Sequence, residues 1–146
     1  MEQELYRASV HRLALSPDGK RLAFVEALGP GGPTALQVMP ASGGAPREVV
    51  RLKGADPMPD RAGIDWSADG RHLLYASRSE AGDDFLLELW RVEADSGEAE
   101  KLGLVMEGLG RHGIDLDPDG QRIAFVAGVA SIGIWVADAL LEQDRR

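Results

Sequence analysis

The chain has 146 residues and a mass of 15.7 kDa, with 44% hydrophobic and 27% charged residues, the size and balance of one globular domain. Its 16 basic and 24 acidic side chains leave a net charge of -8, which opposes phosphate backbones and anionic lipid, and no apolar run approaches the roughly 18 residues of a membrane span, so neither nucleic acid nor a membrane is an expected partner. The absence of cysteine excludes disulfides, thiolate metal sites and a Cys nucleophile.

Residues 1–5 lack the basic and apolar regions of a secretory signal, so a cytoplasmic location is expected if the chain is complete. From His11, Leu13 and Leu15 alternate with smaller or polar residues, the period of a half-buried strand. Asp18-Gly19 then makes a tight turn, because Gly accepts positive φ and Asp bonds nearby backbone. Residues 22–25 are nearly all apolar, as in a strand covered on both faces. A loop, Gly29-Pro30-Gly31-Gly32-Pro33, leads to a third strand at 35–39. The turn Ala41-Ser42-Gly43-Gly44 leads to a fourth, more polar strand at 47–52, suited to a sheet edge.

After the linker Gly54-Ala55-Asp56-Pro57-Met58-Pro59-Asp60-Arg61 the pattern starts again. Ile64 and Trp66 alternate before Asp69-Gly70, residues 73–76 are apolar, and further strands are expected at 85–92 and 99–105. A third copy has Ile114 and Leu116 before Asp119-Gly120, an apolar run at 123–127 and a strand at 132–137, with no fourth strand after Asp138. The turn glycines Gly19, Gly70 and Gly120 lie 51 and 50 residues apart. Four short antiparallel strands recurring at about this period describe β-propeller blades. The fold class is therefore all-β, a single unit over 1–146. Blades are expected at 11–56, 62–106 and 112–140, the last incomplete, with an N-terminal segment at 1–10 and a tail at 141–146.

The segment Ser16-Pro17-Asp18-Gly19-Lys20-Arg21-Leu22-Ala23-Phe24, with its echoes at 66–70 and 117–125, resembles the WD40-like repeat of the TolB type. It is also similar to the propeller domains of prolyl oligopeptidase-like enzymes and to arrays attached to some bacterial kinases. The resemblance implies a six-bladed propeller that serves as an interaction platform, and it makes a periplasmic location possible. Propellers have about four to eight blades and this chain encodes three. It is therefore either part of a longer propeller or one half of a homodimer with six blades. Residues 5–9 have no place in the repeat; they are expected either as a strand completing the third blade, exchanged between chains in the dimer, or as a frayed tail.

Asp115-x-Asp117-x-Asp119-Gly120 matches the opening of a calcium loop, but the twelfth position, which needs a bidentate Glu, is Val126, and the setting is strand-turn-strand. These are read as turn carboxylates, with no metal and no cofactor expected. Asp65 and Asp115 occupy one blade position, opposite in direction to Ile64 and Trp66 or Ile114 and Leu116; with Asp117 they are the residues expected to face the central channel and contact a ligand. His11, His72 and His112 sit beside strands and turns without a nucleophile and orienting acid, and there is no Gly-x-Ser-x-Gly elbow, Walker loop, His-Glu-x-x-His or dinucleotide glycine fingerprint, so no enzymatic activity is expected. Trp66, Trp90 and Trp135 recur at strand positions, which suits packing between blades better than a binding platform. The expected function is a scaffold for a protein or peptide. The alternatives are an accessory or sensor propeller of a larger peptidase or kinase, and a propeller that binds sugars or other small ligands.

Overall fold

The computed structural model describes residues 2–52, 63–78, 86–107, 114–118, 120–127 and 133–138. Within them the alternating and apolar runs form three antiparallel sheets of sequential strands. The first is β1 (Val10–Leu15), β2 (Arg21–Ala27), β3 (Thr34–Pro40) and β4 (Arg47–Leu52). The second is β5 (Ile64–Trp66), β6 (His72–Arg78), β7 (Leu86–Glu93) and β8 (Ala99–Glu107), and the third is β9 (Ile114–Leu116), β10 (Arg122–Ala127) and β11 (Gly133–Asp138). Among the described residues there is no helix, and so none long and apolar enough to cross a membrane. The linker at 54–61, His112, Asp119 and the tail at 141–146 lie outside the described residues.

Each sheet buries both faces of its second strand where a neighbour stands on each side. Ala23, Val25, Leu36 and Val38 of the first sheet pack against Ile64, Trp66, Leu73, Tyr75 and Val92 of the second. Leu74, Ala76 and Leu89, on the second sheet's other face, pack with Met106 against Ile114, Ile123 and Phe125 of the third. The apolar run 73–76 is thus a central strand covered by a sheet on both sides, whereas 22–25 meets the second sheet on one face only and is covered on the other at Phe24 by Tyr6, with Leu22 half-buried.

Register shows what happens at the tryptophan position. Tyr75 pairs with Trp90 and Phe125 with Trp135, and in the first sheet Phe24 pairs with Gln37. Trp90 stacks on Tyr75 at 6.2 Å between ring centroids and packs against the core between the first two blades. Trp66 is buried. Trp135 departs from the inter-blade packing expected of it: 56% of it is exposed. The reason is the sheet edge, since β8 covers the outer side of β7 but β11 is the last strand of the third sheet among the described residues.

Residues 2–9 take no strand conformation. They run as coil beside the first blade, where the Tyr6 ring lies 5.5 Å from that of Phe24 and its hydroxyl donates to Glu26 Oε1 at 3.1 Å. Ala27 N donates to Ser9 O at 3.0 Å, extending the β1–β2 ladder by one bond. Tyr6 thereby brings to Phe24 an aromatic partner that Gln37, standing in the tryptophan position, does not supply.

Two glycines give a test of how close the blades stand. Gly19 has φ +71° and open space where a Cβ would lie, whereas at Gly97, with φ +76°, a Cβ would sit 2.4 Å from Val49 O of the first blade. Gly19→Ala is expected to cost about 1–2 kcal/mol, the left-handed penalty alone. Gly97→Ala must also push two blades apart. Thermal melts should show a loss of several degrees for the first variant and at least about twice that for the second.

Candidate functional site

The Ser-x-Asp-Gly turns form the same network twice. Ser16 Oγ donates to Asp18 Oδ1 at 2.6 Å and accepts from Arg21 N at 2.9 Å, while Lys20 N donates to the same carboxylate oxygen at 3.0 Å. In the second blade Ser67 Oγ donates to Asp69 Oδ1 at 2.6 Å and accepts from His72 N at 3.0 Å, with Arg71 N donating to Asp69 Oδ1 at 2.9 Å. Gly19 N and Gly70 N each close the turn on the serine carbonyl at 2.8 Å. The Ser16 and Lys20 bonds hold the Asp18 carboxyl below its ordinary pKa. At Asp69 burial pushes upward, but the Ser67 and Arg71 bonds prevail and the pKa is again lowered. In the third blade Asp117 takes the serine's place, and its backbone keeps the turn, with Asp117 N donating to Arg122 O at 2.9 Å and Gly120 N to Asp117 O at 2.7 Å. The Asp18 and Asp69 carboxylates therefore act as turn acceptors. Among the described residues no three His, Cys, Asp or Glu side chains gather as a metal ion would require.

Of the three aspartates expected to face a channel, Asp65 joins two blades. Its Oδ1 accepts from Trp66 N and its Oδ2 from Leu116 N of the third blade, each at 2.8 Å. Burial raises its pKa above the ordinary value, the two N–H bonds oppose that rise, and the nearby Asp115 charge adds to it. The structure thus brings Asp65 and Asp115 together on adjacent innermost strands, with Asp115 exposed and Asp117 half-buried at the following turn. The first blade has Ala14 at the position of Asp65. His11 lies within β1, with its Nε2 3.4 Å from Ser9 Oγ. His72 borders an open cleft of about 290 Å³ with Arg91, Glu93, Glu98, Ala99 and Glu100. Arg91 and Glu100 neutralise one another there through a 2.6 Å hydrogen bond.

Trp66 packs between blades as expected, but the polar contacts that join the blades escape a reading of the sequence. Trp66 Nε1 donates to Ala14 O at 3.1 Å, and the Arg21 guanidinium lies 4.7 Å over the Trp66 ring while donating to Gly70 O. Arg47 donates to Ala94 O, and Arg21 and Arg47 both approach Asp95, at 3.6 and 3.9 Å. The recurrence of Arg21 as Arg122 at the same distance from the turn glycine is the one signal in the sequence that marks such a position.

This geometry, sheets of sequential antiparallel strands stacked face to face with their first strands adjacent, is found in known propellers. The putative TolB of Agrobacterium tumefaciens matches over 85% of the chain at 26% identity with a TM-score of 0.62. These are β-propeller blades, similar to those of TolB. TolB of Acinetobacter baumannii matches over 93% of the chain at 19% identity with a TM-score of 0.69. The propeller domain of the Trilobed protease from Pyrococcus furiosus, described as having an open velcro topology, matches over 92% at 14% identity with a TM-score of 0.59. The chain spans 40%, 31% and 40% of the length of those three proteins. No family model and no curated protein matches the sequence.

Proposed function

We propose that these blades form a non-enzymatic scaffold that binds a protein or peptide at the mouth formed by the innermost strands and their loops. The observation that carries this reading is the use of the recurring polar groups. Ser16, Asp18, Ser67, Asp69 and Asp65 are all bonded within or between blades, where they serve architecture. Recognition then falls to positions outside that network, namely Asp115 at the end of the innermost layer and exposed loops such as 29–33, in keeping with the general placement of binding residues on loops held by a rigid frame. The likeness to TolB structures supports the same class.

The test is selection of displayed peptides on the folded chain, followed by direct titration of the enriched sequences. A shared peptide pattern whose affinity falls about tenfold or more in Asp115→Ala is expected, the size of one lost charge-assisted hydrogen bond. Failure to enrich any pattern, or enrichment that Asp115→Ala and substitutions in loop 29–33 leave unchanged, overturns the reading. The likeness to the Trilobed protease's propeller domain favours a second reading, that of an accessory propeller beside a catalytic domain. It predicts that the enriched peptides are cleaved when the complete gene product is supplied.

A further inference from the structure

The two junctions inside the molecule define what each blade face accepts. Every blade has a leading face, carrying the alternating apolar pair of its first strand, and a trailing face, carrying the residue between that pair. At both internal junctions a leading face rests on the trailing face of the blade before it. Ile64 and Trp66, the leading pair of the second blade, are 8% and 3% exposed; their counterparts in the first blade, Leu13 and Leu15, are 63% and 56% exposed. On the trailing side, register aligns Leu36, Leu89 and Ile134, each one residue before the Gln37, Trp90 and Trp135 that pair with Phe24, Tyr75 and Phe125. Leu36 and Leu89 are 0% exposed, and Ile134 is 83% exposed, with Val136 beside it also in the open. Among the described residues, one end of the arc therefore leaves Leu13 and Leu15 of its leading face open, with Tyr6 of the same chain over Phe24, and the other end leaves Ile134 and Val136 of its trailing face open, the two kinds of face that meet at the internal junctions.

The polar contact is repeated in the same phase. Asp65, on a trailing face, accepts the N–H of Leu116 in the next blade at 2.8 Å. Asp115 holds the position of Asp65, and Leu15 holds that of Leu116, as their pairings Leu15↔Leu22 and Leu116↔Ile123 show. We infer that a second copy of this chain covers both ends, head to tail, so that two three-bladed arcs close into a six-bladed ring in which Asp115 of each copy accepts the Leu15 N–H of the other. A second copy is favoured because this chain carries both complementary faces, and because six blades lie within the range of closed propellers whereas three do not. A head-to-tail contact whose rotation closes makes a ring without leaving an apolar end. In this ring Tyr6, held against Phe24 on the leading face, belongs to the junction.

Light scattering on the full chain tests the inference, with two end-face variants at exposed positions, Leu15→Glu and Ile134→Lys, whose folding is checked by circular dichroism. The expected mass is twice 15.7 kDa for the natural chain and 15.7 kDa for each variant alone. An equimolar mixture of the two variants is expected to recover the dimer mass, because one chain keeps an intact leading face and the other an intact trailing face. Asp115→Ala should weaken the dimer about tenfold or more and speed hydrogen exchange at the Leu15 amide. A natural chain that stays monomeric at every concentration overturns the inference, as does a dimer that both end-face variants leave intact. Because Asp115→Ala bears on assembly and on peptide binding alike, substitutions in loop 29–33 are the variants that read peptide binding separately from the dimer.

Discussion

Trp66→Ala is expected to cost about 3–5 kcal/mol, enough to unfold much of a marginally stable domain. The indole is almost fully buried at the first junction, lies under the Arg21 guanidinium and donates to Ala14 O at 3.1 Å, so its loss opens a cavity and leaves a carbonyl without its donor. Trp66→Phe keeps most of the packing and loses the indole N–H, a cost of about 1 kcal/mol for the bond plus a smaller cavity term. Trp135→Ala removes the same side chain from a largely exposed place and should cost under about 2 kcal/mol. Urea unfolding followed by far-ultraviolet circular dichroism gives the three values. Equal losses for Trp66→Ala and Trp135→Ala would contradict the placement of these rings.

At the second junction, Asp65→Ala should lower stability by about 1.5–3 kcal/mol, since a partly buried carboxylate that accepts two N–H groups is removed and Leu116 N is left without an acceptor. Asp65→Asn keeps an amide oxygen for one of the two bonds and should cost less. The two variants also separate the pH dependence. Because burial raises the folded-state pKa of Asp65 above that of an ordinary carboxylate, the native state binds its proton more tightly than the unfolded state does. The contribution of Asp65 is therefore fully present below the unfolded value and is lost as pH rises through the folded one. Asp18 and Asp69 have lowered values, so their contribution is present above the unfolded value and is lost as pH falls through their folded ones. Between about pH 4 and pH 7 the urea midpoint of the natural chain should thus fall relative to that of Asp65→Asn as pH rises. A profile that Asp65→Asn leaves unchanged would show that Asp65 does not titrate in this window.

The fold could be read from the chain because its elements are local. Alternation at Leu13 and Leu15 or Ile64 and Trp66, an Asp-Gly turn and an apolar run each act over a few residues, and the turn network of Ser16, Asp18 and Arg21 closes within six positions. Repetition at Gly19, Gly70 and Gly120 then made three like units recognisable without any knowledge of how they pack. The alternation also placed Asp65 correctly on the face opposite Trp66.

What stands opposite that face is a different matter. The partner of Asp65 is a backbone N–H 51 residues away, and the partner of Trp66 Nε1 is a carbonyl 52 residues away. Backbone groups carry no mark in a sequence, so an aspartate that joins blades and one that waits for a ligand are spelled alike. Likewise Trp90 and Trp135 share a register position but differ in burial, because one lies under a fourth strand and the other at an edge. By itself the sequence determined the blade, its turns, its period and which residues share a face, since these follow from local dihedral preferences and the two-residue repeat of a strand. Only the tertiary structure decided which carboxylate joins two blades, which tryptophan is core and which apolar faces stay open, because those depend on the twist and stacking of whole sheets, through which residues some fifty positions apart come into contact.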